Sequence, residues 1–292
     1  MSIRVMASRH SAFYSPLLCA VQFLRDEGRD VPYSVLRPGQ RSHVLLSEGV
    51  VDVMQSAVSS NWSAQDEGIR DLPIHFAQIN RRDGFFLAGR HPDPAFDWRN
   101  LEGRSLLADH GLQPLAMLKY AVHYNGADWS RIRLRDAGSP EEMERVFRAG
   151  QADYVHLQSP AAHMVEREGA GHVVVSVGVA MPAVAFSSLC ASAGFLRTET
   201  AASFLAAYRR ARQWVRETPA EAVAAQEAEF FPGVAADTLA IAVATYQKLG
   251  CWEGEIGIPA DLYEQALNVF EFSQLISRRH SYEEVARAMT AR

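Results

Sequence analysis

Histidines, hydroxyls and arginines sit where apolar runs give way to helix-like segments, and these positions carry most of the chain's potential chemistry. His10 and Ser11 follow the apolar run 3–7, and Gln55-Ser56-Ala57-Val58-Ser59-Ser60-Asn61 follows the apolar run 51–54. Free backbone N–H groups and the helix dipole at such junctions favour anions and polar acceptors, which is why open α/β sheets bind ligands there. His10, His110 and His156 could converge on a metal, but their spacing holds no HxH or HExxH pattern, and no metal site is expected. Arg81 and Arg82 suit bidentate capture of a carboxylate or sulfonate, with a solvated turn as the alternative home for at least one of them.

Several other chemistries lack their residues. Cys19, Cys190 and Cys251 are far apart with no CxxC pattern, so buried free thiols are expected. Lys119 and Lys248 are the only lysines among 29 basic residues, which leaves a Schiff-base enzyme two candidate amines. There is no Ser-His-Asp order, nucleophile elbow or phosphate-cradling glycine loop, and no cofactor is expected. A net charge of −5 without a basic block argues against nucleic acid as a partner. No apolar run approaches the ~20 residues of a membrane span, so no membrane insertion is expected. Arg4, Arg9 and the mildly apolar stretch 11–24 imitate a signal peptide. However, Ser11, Ser15, Pro16 and Gln22 interrupt that stretch and no small-x-small cleavage site precedes Arg25. The stretch reads as part of the fold, and the chain as cytoplasmic, or periplasmic if a leader was trimmed.

The elements that position these residues follow from periodicity. At 292 residues, 48% hydrophobic and 22% charged, the chain has the bulk for one large or two modest domains. Leu45 to Ser56, LLSEGVVDVMQS, reads as a helix end, a glycine stop at Gly49, an Asp at 52 and a buried strand. Val146 to Gln158, VFRAGQADYVHLQ, repeats the arrangement with Gly150 and Asp153. Glycine enters the left-handed conformation without a Cβ penalty, so the chain leaves the helix and turns directly into a strand. Two such units predict two similar lobes, with chance recurrence of common αβ grammar as the alternative.

The first lobe is read as strands at 3–7, 31–36 and 51–54, helices at 16–27 and 42–47, and then two strands, 74–78 and 84–88, joined by the turn Asn80-Arg81-Arg82-Asp83. A Pro-rich linker places the first crossing at 89–97. Strands at 105–108, 132–136, 153–157 and 172–177 alternate with helices in the second lobe, and 184–192 returns as a strand. Helices at 198–216, 219–229, 235–249, 259–277 and 281–290 are expected to pack against the first lobe. The fold class is therefore α/β, with lobe I at 1–90 and 185–292, lobe II inserted at 91–184, and a helical C-terminal third.

That order resembles the type II periplasmic-binding-protein fold, in particular the branch of ABC-transporter substrate-binding proteins for sulfonates, taurine, nitrate or thiamine precursors. The residues carrying the resemblance are Leu46-x-x-Gly49-x-x-Asp52-Val53, the strand Gly84-Phe85-Phe86-Leu87, Asn100-Leu101-Glu102-Gly103-Arg104, and Phe147-x-x-Gly150-x-x-Asp153-Tyr154. It covers about residues 3 to 275. The chain departs from the branch in carrying Asp109-His110-Gly111-Leu112-Gln113 where small residues and hydroxyls often open the second lobe's first helix. Ligand preference is therefore less transferable than fold.

The resemblance implies a ligand held between lobes by loops after strands on both sides. From the first lobe these are His10, Ser11, Tyr14, Ser56 and Ser59, with Arg81 as an anion clamp. From the second they are His110, Gln113, His156, Gln158 and Ser159, with Ser187 where the chain returns. The implied function is a solute-binding protein closing on a small anionic or heteroaromatic molecule, with an ABC permease as candidate partner. The alternative is a cytoplasmic enzyme on the same scaffold, of lyase, decarboxylase, desulfinase or thiamine-pyrimidine type, using His10 or His110 as acid/base. The desulfinase carries a cysteine nucleophile after its first strand and the thiamine-pyrimidine synthase a cysteine-rich motif; neither is present here. A ligand-sensing module with a regulatory partner is a third reading.

Overall fold

The computed structural model describes residues 2–287. The first lobe begins with strand β1 (Val5–Ala7), helix α1 (Ser15–Asp26), β2 (Tyr33–Val35), α2 (Ser42–Ser47), β3 (Val53–Ser56), α3 (Val58–Asp66) and β4 (Ile74–Asn80). The second contains β5 (Phe85–Gly89), β6 (Ser105–Leu107), α4 (Leu112–Tyr124), β7 (Arg133–Arg135), α5 (Pro140–Arg148), β8 (Tyr154–Gln158), α6 (Ala161–Arg167) and β9 (His172–Ser176). The return consists of β10 (Ser187–Ala191) and helices α7 (Glu199–Glu217), α8 (Ala220–Glu227), α9 (Ala236–Lys248), α10 (Ala260–Phe272) and α11 (Tyr282–Val285).

Two separate sheets result, ordered β2-β1-β3-β10-β4 and β7-β6-β8-β5-β9. They share one plan. In each, four strands point the same way, and a strand delivered by a crossing segment enters antiparallel between the last two, next to the edge.

The repeated helix-Gly-x-x-Asp-strand unit has a physical role in both lobes. Gly49 and Gly150 take φ of +64° and +76°, so each helix stops and the chain enters its strand. Asp52 then accepts the Arg4 backbone N–H at 2.8 Å, just before β1. Asp153 accepts the Ser105 backbone N–H at 2.7 Å, at the start of β6. Each aspartate thus pins the neighbouring parallel strand at the end of the sheet away from the ligand-binding junctions.

The first crossing corrects the sequence reading. Residues 80–83 do not close a hairpin; β5 belongs to the second sheet, so the chain changes lobes within 81–84 and not at 89–97. Tertiary partners hold this segment in place. The Arg81 N–H donates to Cys251 O at 2.9 Å and Arg82 Nη1 to Gly178 O at 3.0 Å. Gly84 is packed so closely on Phe13 that a Cβ would lie 2.5 Å from its ring. The loop expected at 55–61 is mostly the first turn of α3, with Ser59, Asn61 and Trp62 buried. The helix expected at 259–277 ends at Phe272, and Gln274 has φ +56°. The one expected at 281–290 is a single turn followed by a bridge from Ala286 to His75, and 288–290 lie outside the described residues.

The C-terminal helices also do more than cover the first lobe. α7 and α8 pack on α1, whereas α9 packs on α6 and α10 on α4 of the second lobe. One apolar cluster consequently runs from Ile3 through both lobes to Ala286. All three cysteines are buried free thiols.

Candidate functional site

A cleft of about 820 Å³ opens between the carboxyl ends of the parallel strands of the two sheets. The first lobe contributes Ser8, Arg9 and His10, which follow β1. Asp109, following β6, and His156, Gln158 and Ser159 at the end of β8 come from the second. Phe230 and Phe231, between α8 and α9, supply an aromatic rim.

Side-chain contacts beside the cleft join the lobes. Arg9 forms a forked ion pair with Asp109, Nη2 to Oδ1 being 3.2 Å, and Asp109 also accepts the Gly111 N–H at 2.8 Å. Ser11 Oγ, which caps the turn 12–14 by accepting the Phe13 N–H, donates to Ser159 O at 2.7 Å. Ser59 Oγ donates to Gln113 Oε1 at 2.9 Å. From α9, the Tyr246 hydroxyl donates to Gly84 O and accepts the Ser159 N–H, both at 2.9 Å. The lobes are therefore closed on one another.

Alternation along β8 turns His156 and Gln158 to the same face. The His156 imidazole is fully buried, stacks on Phe85 with ring centres 4.3 Å apart, and neither ring nitrogen has a protein partner. Burial lowers its pKa to about 3, so it is neutral at physiological pH. The Gln158 amide is also buried. The Tyr14 hydroxyl is close enough to interact with it, yet neither amide atom completes a hydrogen bond of ordinary geometry. Buried polar atoms ordinarily find partners, so these four, on two residues that line the cleft, are candidates for contact with a ligand.

Among the expected ligand contacts, His10, His156, Gln158 and Ser159 line this cleft. Ser11, Tyr14, Ser59 and Gln113 lie behind its wall, where Ser11, Ser59 and Gln113 join the lobes. Ser56 and Ser187 are occupied within the first lobe, Ser56 Oγ bonding to Ser60 Oγ and Ser187 Oγ to Asn80 Oδ1. Arg81 is turned away, its guanidinium packed near Gly254. His110 is exposed and absent from the lining, its Nε2 4.0 Å from Asp136.

The acid/base role considered for His10 also meets an obstacle. Its Nε2 lies 2.7 Å from Phe230 O and its Nδ1 3.1 Å from the Tyr33 hydroxyl, so both ring nitrogens are engaged. Partial burial lowers its pKa despite the Phe230 contact. Sequence reasoning passed over Arg9 and Asp109, which are one position from His10 and His110. Their signal was opposite charge at two equivalent strand ends. No cluster of metal-ligating side chains occurs among the described residues.

The comparisons agree with this architecture. Over 252 residues, 84% of this chain and 75% of the relative, the chain is 27% identical to YtlA, a candidate binding protein of Bacillus subtilis (strain 168). A ligand-binding component of an ABC-type import system from Staphylococcus aureus, solved with zinc bound, superposes with a TM-score of 0.77 at 12% identity, covering 99% of this chain and 97% of that one. The periplasmic aliphatic sulphonate binding protein SsuA from Escherichia coli gives 0.73 at 14% identity, covering 100% and 94%. These likenesses establish the two-lobed fold. The profile described as NMT1/THI5 like matches residues 19–222, well over half of the sequence, and the chain belongs to the NMT1/THI5-like family.

Proposed function

We propose that this protein is a solute-binding component of an ABC-type import system, holding a small molecule between its lobes without making or breaking a bond in it. The observation that carries the reading is the interlobe cleft with buried, unpartnered polar atoms of His156 and Gln158 on its floor. Such atoms cost free energy until a ligand satisfies them, so a ligand touching both lobes stabilises the closed arrangement over the open one. Membership of the family and the names of the structural neighbours support transport, and a permease is the corresponding partner. No helix among the described residues is long and apolar enough to cross a membrane.

The test combines a thermal-shift screen with an interlobe distance measured between spin labels, one on each lobe. The expected result is a saturable shift with one class of small molecule, an interlobe distance held at that of the closed arrangement, and recovery of that molecule unchanged. Chemical conversion of the ligand would overturn the reading and return attention to an enzyme. Replacing His10 and His110 together by Gln would then decide whether either acts as acid/base.

A further inference from the structure

The two segments that carry the chain between the sheets meet around one carboxyl group. Residues 81–84 lead from β4 to β5, and residues 177–186 lead from β9 to β10. They run against each other: the Val184 N–H donates to Arg81 O at 2.9 Å, the Phe186 N–H to Asn80 O at 3.1 Å, and Arg82 Nη1 to Gly178 O at 3.0 Å. Asp83 lies within this seam, with Gly178 pressed on its backbone, and is fully buried. Its Oδ1 accepts the Phe85 N–H at 2.6 Å, whereas Oδ2 has no protein partner. Any change in the angle between the lobes must be absorbed by these two segments, because they are the covalent connections between the sheets.

The groups around Asp83 do not balance a negative charge. Arg82 is turned to Gly178 O, Arg81 packs near Gly254, and Arg9 is paired with Asp109. The ionisable groups close enough to interact with Asp83 are the Tyr14 hydroxyl from the turn after β1, the Cys251 thiol after α9 and the Asp109 carboxylate after β6. Burial pushes the tyrosine and the thiol up, so both are neutral through neutral pH, and Asp109 repels a second carboxylate. The Tyr246 hydroxyl faces Gly84 O from α9, and residues 177–184 of the other segment contain no titratable side chain. A carboxylate with a single hydrogen bond is costly in such a place. Burial, reinforced by Asp109, accordingly raises the Asp83 pKa to about 7, against the partial offset from the Phe85 N–H.

Resting on the solute-binding reading, in which the lobes open and close, we propose that Asp83 is a proton switch on that motion: the closed seam holds its carboxyl neutral, and opening parts the two segments, hydrates Oδ2 and releases the proton to water. Rising pH then favours the open arrangement, and falling pH favours the closed one. Closed, Asp83 gives up its proton near pH 7; hydrated, it does so near the ordinary 3.8. Between these values the closed state binds one proton more than the open state, so the open-to-closed ratio rises about tenfold per pH unit and levels off above pH 7. His156 works in the opposite direction. Neutral while buried, it gains a proton on exposure below its ordinary value of 6.5, which favours opening on acidification.

The experiment measures open and closed populations by the distance between spin labels on exposed sites, one per lobe, at pH 5, 6.5 and 8 with no ligand added. His156→Phe serves as the background, because it removes the opposing contribution. There the open-to-closed ratio is expected to rise roughly tenfold or more from pH 5 to pH 8, and the rise is expected to vanish when Asp83→Asn is added. Ser59→Ala, which lacks the bond to Gln113, shifts the balance toward the open state and brings the ratio into range if the closed state dominates. A ratio that does not respond to pH, or the same rise with asparagine at position 83, overturns the inference. A carboxyl-carbon NMR titration of aspartate-labelled wild type keeps the test valid if the asparagine variant misfolds. One aspartate titrating near pH 7, in step with loss of the short interlobe distance, supports the switch, and titration of every aspartate below pH 5 overturns it. Failure of the solute-binding reading looks different: the lobes open with pH, but no small molecule in the thermal-shift screen holds them closed, or the one that binds is converted.

Discussion

An imidazole with two unpartnered nitrogens is a poor choice for a core, and its cost should be measurable. Replacing His156 by Phe removes both buried polar atoms and keeps the stack on Phe85, so the ligand-free variant is expected to gain about 1–3 kcal/mol of stability. The gain should grow on acidification. His156 has a pKa near 3 when folded and an ordinary one near 6.5 when unfolded, so the wild type loses stability as the pH falls below that ordinary value, whereas the phenylalanine variant lacks this term. Urea unfolding of both proteins at pH 7.5 and pH 5 checks sign and trend.

Asp83 behaves in the opposite sense. Burial pushes its pKa up to about 7, although the Phe85 N–H donating to Oδ1 partly offsets this. The folded state therefore holds a proton that the unfolded chain releases at lower pH, and stability declines as pH rises from its ordinary value of 3.8 through about 7. Asp83→Asn keeps the acceptor for Phe85 and should remove that decline. The stability of the variant relative to wild type is expected to be greater at pH 8 than at pH 5, and denaturant titrations at the two values read it directly.

At the scale of elements, the helix-Gly-x-x-Asp-strand repeat was legible because both of its requirements are local. The glycine must be left-handed, and the aspartate must reach the start of an adjacent strand. Gly150→Ala is expected to cost roughly 1–2 kcal/mol, the penalty of a Cβ in that conformation. Asp153→Ala should cost about 1 kcal/mol from the lost bond to Ser105. Thermal unfolding monitored by circular dichroism measures both. The hairpin expected at 74–88 illustrates the limit of local reasoning. Four polar residues between two apolar runs look like a turn, and only the contacts of Arg81, Arg82 and Gly84 with distant segments carry them from one sheet to the other.

For the whole molecule, closure is the property of interest. The two crossing segments touch at Gly178, where a Cβ would sit 2.2 Å from Asp83 O. Gly178→Ala should force them apart and destabilise the protein by about 1–3 kcal/mol, the usual cost of overpacking; chemical denaturation measures it. Arg9 and Asp109 link the lobes directly across the cleft. Asp109→Asn retains an acceptor for the Gly111 N–H but loses the ion pair, and is expected to increase the radius of gyration of the ligand-free protein in small-angle scattering. An unchanged radius would mean that the serine contacts and C-terminal helices alone hold the lobes together.

Periodicity and the left-handed glycines were sufficient to determine two α/β units and a helical tail, because each depends on the geometry of a few neighbouring residues. They also placed His10, His156 and Gln158 at strand ends. Which strand ends face each other, which polar groups are consumed in holding the lobes together, and which remain for a ligand were decided only by tertiary structure. Arg9 and Asp109 are a hundred positions apart in the chain, and nothing short of packing the two sheets together makes them partners.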